Sequence, residues 1–139
     1  MNWFIPGNVP SSKNGKRWTG NYLISSKATM QYRKDTKQYY QNYKQQFITE
    51  FAKHTKPVYV SFTFIRKSKH KFDYINPLQT VQDDMVKNEW LEDDDCSNIL
   101  PVFEEYVYDK NNPGVIIKII NKDEYRKLRA KMGNSATED

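Results

Sequence analysis

At 139 residues, 37% apolar side chains and a formal charge of +5, the chain has the size of one domain and can build a core without disulfides. Its lone cysteine, Cys96, excludes an internal disulfide and a cysteine-built zinc cluster, and fits a reducing cytoplasm. No run approaches the ~20 apolar residues of a membrane helix, and the start is too short and uncharged for a signal peptide, so a soluble cytoplasmic protein with no membrane partner is expected.

In chain order, residues 2–5 predict a short strand, and 7–20 a basic turn region punctuated by Pro10, Asn14-Gly15 and Gly20. A brief extended piece is expected at 22–25. From Asp35 to about Lys53, Tyr40, Tyr43, Phe47 and Phe51 recur at three- and four-residue steps, the spacing of one buried helical stripe. Gln38, Asn42, Lys44 and Gln45 supply its wet side. After Pro57, 58-VYVSFTFI-65 is the clearest strand, with Val58, Val60, Phe62 and Phe64 on its apolar face. Arg66 to Lys71 makes a basic loop.

A second helix is expected from Asn76-Pro77 to about Glu89, Asn76 capping it and Pro77 in first position, with Leu78, Val81, Met85 and Val86 inward. Leu100 to Tyr108 and Val115 to Ile120 predict two strands joined by the turn 109–114 as an antiparallel hairpin. Asn121 caps a last helix that Gly133 ends, leaving 133–139 as a disordered tail. These elements predict one α+β domain over residues 1–132: a mixed sheet of four to five short strands packed against two main helices.

The charge falls in blocks. Residues 1–71 carry fourteen Lys and Arg against two acids, whereas 72–109 carry one Lys against eleven acids. Folding can interleave such blocks so that they neutralise one another; the sharper expectation is a basic surface that attracts a polyanion around a local acidic site that holds cations. Asp73 follows the strongest strand, Asp83 lies on the second helix, and Asp93-Asp94-Asp95 follow that helix. If the helix returns the chain, these acids meet at one end of the sheet as hard oxygen ligands for a divalent ion. Other chemistries find less support. The acidic run lacks the alternation and central glycine of a calcium-binding hand, and no Gly-rich phosphate loop is present. His54 and His70 are too far apart for a zinc motif, and His54 reads as a helix-end residue. Ser11 and Ser12 have no nearby histidine, and Cys96 beside Asp95 reads as structural.

The segment 73-DYINPLQTVQDDMVKNEWLEDD-94 resembles the RusA family of Holliday junction resolvases, often encoded by phages and prophages. The family pattern runs Asp-x-Asp-Asn, a Lys three residues on, an Asp on the helix, and a Trp-x-Asp-Asp-like end. The stretch 8-NVPSSKNGKR-17 is similar to its Pro-Ser-Asn-Asn-like opening. The resemblance implies that Asp73 is the first metal ligand, Asn76 its neighbouring Asn, Asp83 the helix aspartate, and Asp93 and Asp94 the terminal pair, with Asp94 the essential member. Two positions depart from the pattern. Ile75 replaces an aspartate and cannot bind a cation, and Gln79 replaces the catalytic lysine. Lys87, on the helical face of Asp83, or a lysine of the 66–71 loop is expected to supply the missing positive charge.

What the resemblance implies is a Mg2+-dependent endonuclease, with Mn2+ as a substitute, in a bacterial cell or its prophage. It would cut branched DNA, chiefly four-way junctions, symmetrically as a homodimer, leaving 5′-phosphate and 3′-hydroxyl nicks. Asp73, Asp83, Asp94 and Lys87 are the expected catalytic set. Lys13, Lys16 and Arg17 in the flexible N-terminal loop, and Arg66, Lys67, Lys69 and Lys71 before Asp73, are the expected phosphate contacts. Trp18 reads as packing on the body, and Phe103, Tyr106 and Tyr108 either finish the core or form the dimer interface. The alternative reading is a junction-binding protein whose site no longer cuts.

Overall fold

The computed structural model describes residues 1–10, 16–18 and 23–137. In chain order these form β1 (Asn2–Pro6), β2 (Lys16–Trp18), β3 (Leu23–Ser25), α1 (Lys27–Phe51), β4 (Val58–Arg66), α2 (Ile75–Lys87), β5 (Ile99–Phe103), β6 (Val107–Tyr108), β7 (Gly114–Ile119) and α3 (Lys122–Thr137). β4 is central. Val58, Val60, Phe62 and Phe64 are wholly buried on one face and Ser61 is nearly so on the other. A strand covered on both faces takes the middle of a sheet rather than an edge.

β7 pairs antiparallel with β4, Phe62 opposite Ile117, and β1 pairs antiparallel with β7, Trp3 opposite Ile117. On the other side of β4, β5 starts parallel to it with Ile99 opposite Val58, and β6 continues that edge with Val107 opposite Ile65. β2 and β3 form a separate antiparallel ribbon. The result is an α+β domain with a mixed five-stranded sheet. No helix among the described residues is long and apolar enough to cross a membrane.

Several boundaries differ from the sequence-based expectations. α1 begins at Lys27, eight residues before Asp35, because the Ser26 hydroxyl accepts the Thr29 N–H at 3.2 Å and caps the helix. Lys16 and Arg17 lie in the β2–β3 ribbon and not in an open loop. Asn76 sits inside the first turn of α2, whose cap residue is Tyr74, with no side-chain cap bond. The expected strand 100–108 is broken after Phe103. There the Glu104 N–H bonds the Phe62 carbonyl at 3.1 Å, and the Tyr106 N–H bonds the Tyr74 hydroxyl at 3.1 Å.

The expected hairpin is absent because β4 stands between its two arms. After β6, the Asp109 N–H bonds the Arg66 carbonyl at 2.9 Å, and the Asp109 carboxylate takes the N–H groups of Asn111 and Asn112. That turn carries the chain around the end of β4. Asn121 caps α3 as expected, accepting the Glu124 N–H at 3.0 Å. The helix then runs through Gly133 to Thr137, so the tail expected from 133 is helical as far as 137. A glycine ends a helix by turning left-handed, and Gly133 does not.

The core joins the sheet to α1 and α2 through aromatic rings. Phe47 stacks on Trp90 at 4.6 Å and meets Trp3 edge-on at 5.1 Å, while Tyr40 meets Trp90 at 5.1 Å. The Trp90 Nε1–H donates to the Tyr40 carbonyl at 2.7 Å. Leu78, Val81 and Met85 of α2 are buried as their spacing predicts, and Val86 packs partly against the cluster.

Candidate acidic site

Trp90 determines where the acids after α2 go. Glu89 adopts φ +65°, which turns the chain back, and Trp90 and Leu91 are then buried with their N–H groups directed at the Met85 carbonyl. With those two side chains anchored, residues 92–95 are held on the surface against α2. Asp94 is partly buried. Its carboxyl pKa is raised, first by burial and then by Asp93 and Asp83. Asp93 Oδ1 accepts the Asp94 N–H at 2.8 Å. Asp83 and Asp93 are thus near enough for their charges to act on Asp94. Asp95 serves the backbone instead. It accepts the Ser97 and Asn98 donors of the turn that starts β5, and these bonds hold its carboxyl below the usual range.

Asp73 is placed differently. It is exposed in the loop before α2, in a hollow with Phe72, Tyr74, Ile75, Asn76 and Phe103. Because β4 and β5 are parallel, Asp73 follows the far end of β4 while Asp93 and Asp94 precede the start of β5. Between them runs α2, about 20 Å long at 13 residues. The expected meeting of all the acids at one end of the sheet is therefore confined to Asp83, Asp93 and Asp94. Among the described residues, no three His, Cys, Asp or Glu side chains form a ready metal-ligand group.

The donor chemistry still suits a hard cation, since all three clustered side chains are carboxylates. Magnesium is commonly held by one or two carboxylates together with water and substrate phosphate, and Asp83 with Asp94 can supply that number. Ile75 is 68% exposed at the position where the family pattern has an acid. Gln79 is also exposed, one turn before Asp83.

Two residues of this site, Asp84 and Arg33, escape a reading of the sequence. Asp84 is buried, and its Oδ1 accepts the Arg33 Nε–H at 2.9 Å. Arg33 Nη2 also approaches Asp83 Oδ2 at 3.8 Å, so one guanidinium from α1 spans both aspartates. The available signal is position: Asp84 is four residues after buried Thr80 and next to buried Met85, on the inward side of α2. Lys87 is exposed in the last turn, close enough for its charge to act on Asp84.

The basic loop divides by role. Arg66 is an internal brace: its Nη1 donates to the Val9 carbonyl at 2.7 Å, its guanidinium lies 4.7 Å over Phe72, and burial lowers its pKa. Lys67, Lys69 and Lys71 are exposed, and Lys69 lies 5.1 Å over the Tyr108 ring. Lys13 lies outside the described residues. Phe103, Tyr106 and Tyr108 are exposed on the β5–β6 edge and do not complete the core. His54 lies in the turn just after α1, 3.6 Å from Glu50, and Cys96 is exposed. Comparison of the chain with protein-family models and with curated proteins finds no match.

Proposed function

We propose that the protein is a divalent-metal-dependent endonuclease of branched DNA, chiefly four-way junctions, acting as a homodimer. The observation that carries this reading is that the charges of Asp83 and Asp93 act on Asp94, with Arg33 against Asp83 and Lys87 one turn further along α2. Negative charge there is concentrated enough to help raise the Asp94 pKa, and a cation relieves it. In this reading Asp83 and Asp94 hold Mg2+ or Mn2+ with Asp93 beside them, and Asp73, at the other end of α2, is not a ligand of that ion. A bound ion of this kind supplies positive charge to the scissile phosphate and acidifies a water.

The chain's own residues bind and orient the DNA. Lys67, Lys69 and Lys71 hold backbone phosphates without reading sequence, as do Lys13, Lys16 and Arg17. Lys87 offsets charge at the phosphate in place of the lysine that Gln79 replaces. The second reading, a junction-binding protein that does not cut, draws on exposed Ile75 and on the separation of Asp73 from the other acids.

A labelled four-way junction incubated with Mg2+, Mn2+ or EDTA separates the two, with linear duplex as control and Asp94→Asn beside the wild type. Paired symmetric nicks that require the metal and Asp94 are expected. Tight junction binding without nicks under either metal would replace the nuclease with the binding reading.

A further inference from the structure

Helix α3 is fastened to the body only at its root. Lys122 Nζ donates to the Thr55 carbonyl at 3.1 Å and to its hydroxyl at 3.3 Å, and Tyr125 meets Tyr59 edge-on at 5.2 Å. Every residue from Arg126 to Gly133 is exposed, including Leu128 at 57% and Met132 at 61%. Tyr125, Leu128 and Met132 are three and four residues apart and form one apolar stripe, with Arg129 and Lys131 on its flanks. A 16-residue helix with so little of its apolar stripe packed gains little from intrinsic propensity, so its stability calls for a cover.

A surface of matching chemistry lies beside that root. A cleft of about 550 Å³ is walled by Ile48, Phe51 and Ala52 from the end of α1 and by Val86, Trp90 and Leu91 from the end of α2. Its edge carries Glu89, which pairs with Lys44 at 2.7 Å, and exposed Glu92. Lys56, also at the edge, directly follows Thr55, to which Lys122 is bound. Root and cleft therefore occupy the same end of the molecule, while α3 leaves its own chain with its stripe uncovered.

We propose that α3 of one copy docks into the cleft of a second copy, and reciprocally. Leu128 and Met132 cover the apolar wall, and Arg129 faces exposed Glu92, Glu89 being paired with Lys44. Placing both features at one end lets a twofold axis satisfy both copies at once and closes the assembly as a dimer. The inference rests on the homodimer of the proposed function and names its interface, while DNA cleavage is tested separately by the junction assay.

Light scattering on the full chain, without DNA and over a concentration series, tests it. The wild type is expected to form a dimer. Leu128→Glu with Met132→Glu should yield monomer at concentrations where the wild type is dimeric, with the melting of the monomer fold retained because both side chains are exposed. Ala52→Trp, which fills the cleft from an exposed position, should do the same. Glu92→Arg should weaken the dimer, and adding Arg129→Glu should restore it. A wild type that stays monomeric, or a dimer indifferent to both the stripe and the cleft variants, overturns the proposal. So does a monomer whose duplex binding is abolished by the stripe substitutions, which would make α3 a nucleic-acid arm.

Discussion

Burial places Asp84 in an environment that its partner only partly compensates. Loss of water raises its pKa from the ordinary 3.8 to about 6, with Arg33 opposing the shift and Asp83 adding to it. Asp84 Oδ2 has no hydrogen-bond partner among the described residues, and neither do the buried Tyr32 and Tyr40 hydroxyls. Burial, with the Asp84 charge assisting, holds both phenols well above their usual range. Because its folded pKa is the higher one, Asp84 binds more proton in the folded than in the unfolded chain between about pH 4 and about pH 6. Its contribution to stability is largest below that window, falls as pH rises through it, and is flat above.

Asp84→Asn keeps the acceptor for the Arg33 Nε–H and removes the buried charge. Urea unfolding at a series of pH values should show the wild type losing up to about 3 kcal/mol across the window relative to this variant. Parallel curves for the two proteins would refute the assignment. Asp84→Ala removes the acceptor of the Arg33 Nε–H while Asp83 stays 3.8 Å away, and should be about 1–3 kcal/mol less stable than Asp84→Asn at neutral pH.

Among the elements, α1 and β7 depend on single residues at their ends. Ser26→Ala removes the cap of α1 and should lower stability by about 1 kcal/mol in thermal unfolding. Gly114 opens β7 opposite Pro6, where an added Cβ would stand 2.6 Å from the Ile5 carbonyl oxygen and 2.5 Å from the Phe4 ring. Gly114→Ala should therefore push β1 away and cost about 1–3 kcal/mol, read as a lower urea midpoint. A neutral result would mean that β1 shifts without penalty. The apolar periodicity of α1, β4 and α2 is legible because each pattern is local: the ring stripe of Tyr40 and Phe47, the alternation from Val58 to Phe64, and the Leu78–Val81–Met85 spacing all face the core. The start of α1 is hidden from periodicity because its first buried positions alternate polar and aromatic residues, Thr29, Tyr32 and Thr36, and the Ser26 hydroxyl marks the true end. The break after Phe103 is hidden because it depends on the Tyr74 hydroxyl, a partner distant in sequence.

For the whole molecule, folding interleaves part of the two charge blocks, Arg33 pairing with Asp83 and Asp84 and Lys44 with Glu89, and leaves other members of each exposed. Exposed Lys67, Lys69 and Lys71 precede Asp73, while Asp83, Asp93 and Asp94 collect around the end of α2. If the lysines hold phosphates, junction affinity should fall with salt, and replacing each with Ala should reduce the log–log slope by about 0.9 for every phosphate no longer neutralised. Fluorescence anisotropy at several salt concentrations measures this, and unchanged slopes in the triple variant would remove the loop from the interface. The sequence by itself determined the α+β composition, the buried stripes and the acid-rich segment, because periodicity and composition act over a few residues. Only the tertiary structure decided that β4 separates β5 and β6 from β7, that Asp73 and the Asp93–Asp94 pair lie at opposite ends of α2, and that Arg33 spans Asp83 and Asp84. Each depends on strand pairing or desolvation between segments distant in the chain, which local pattern does not encode.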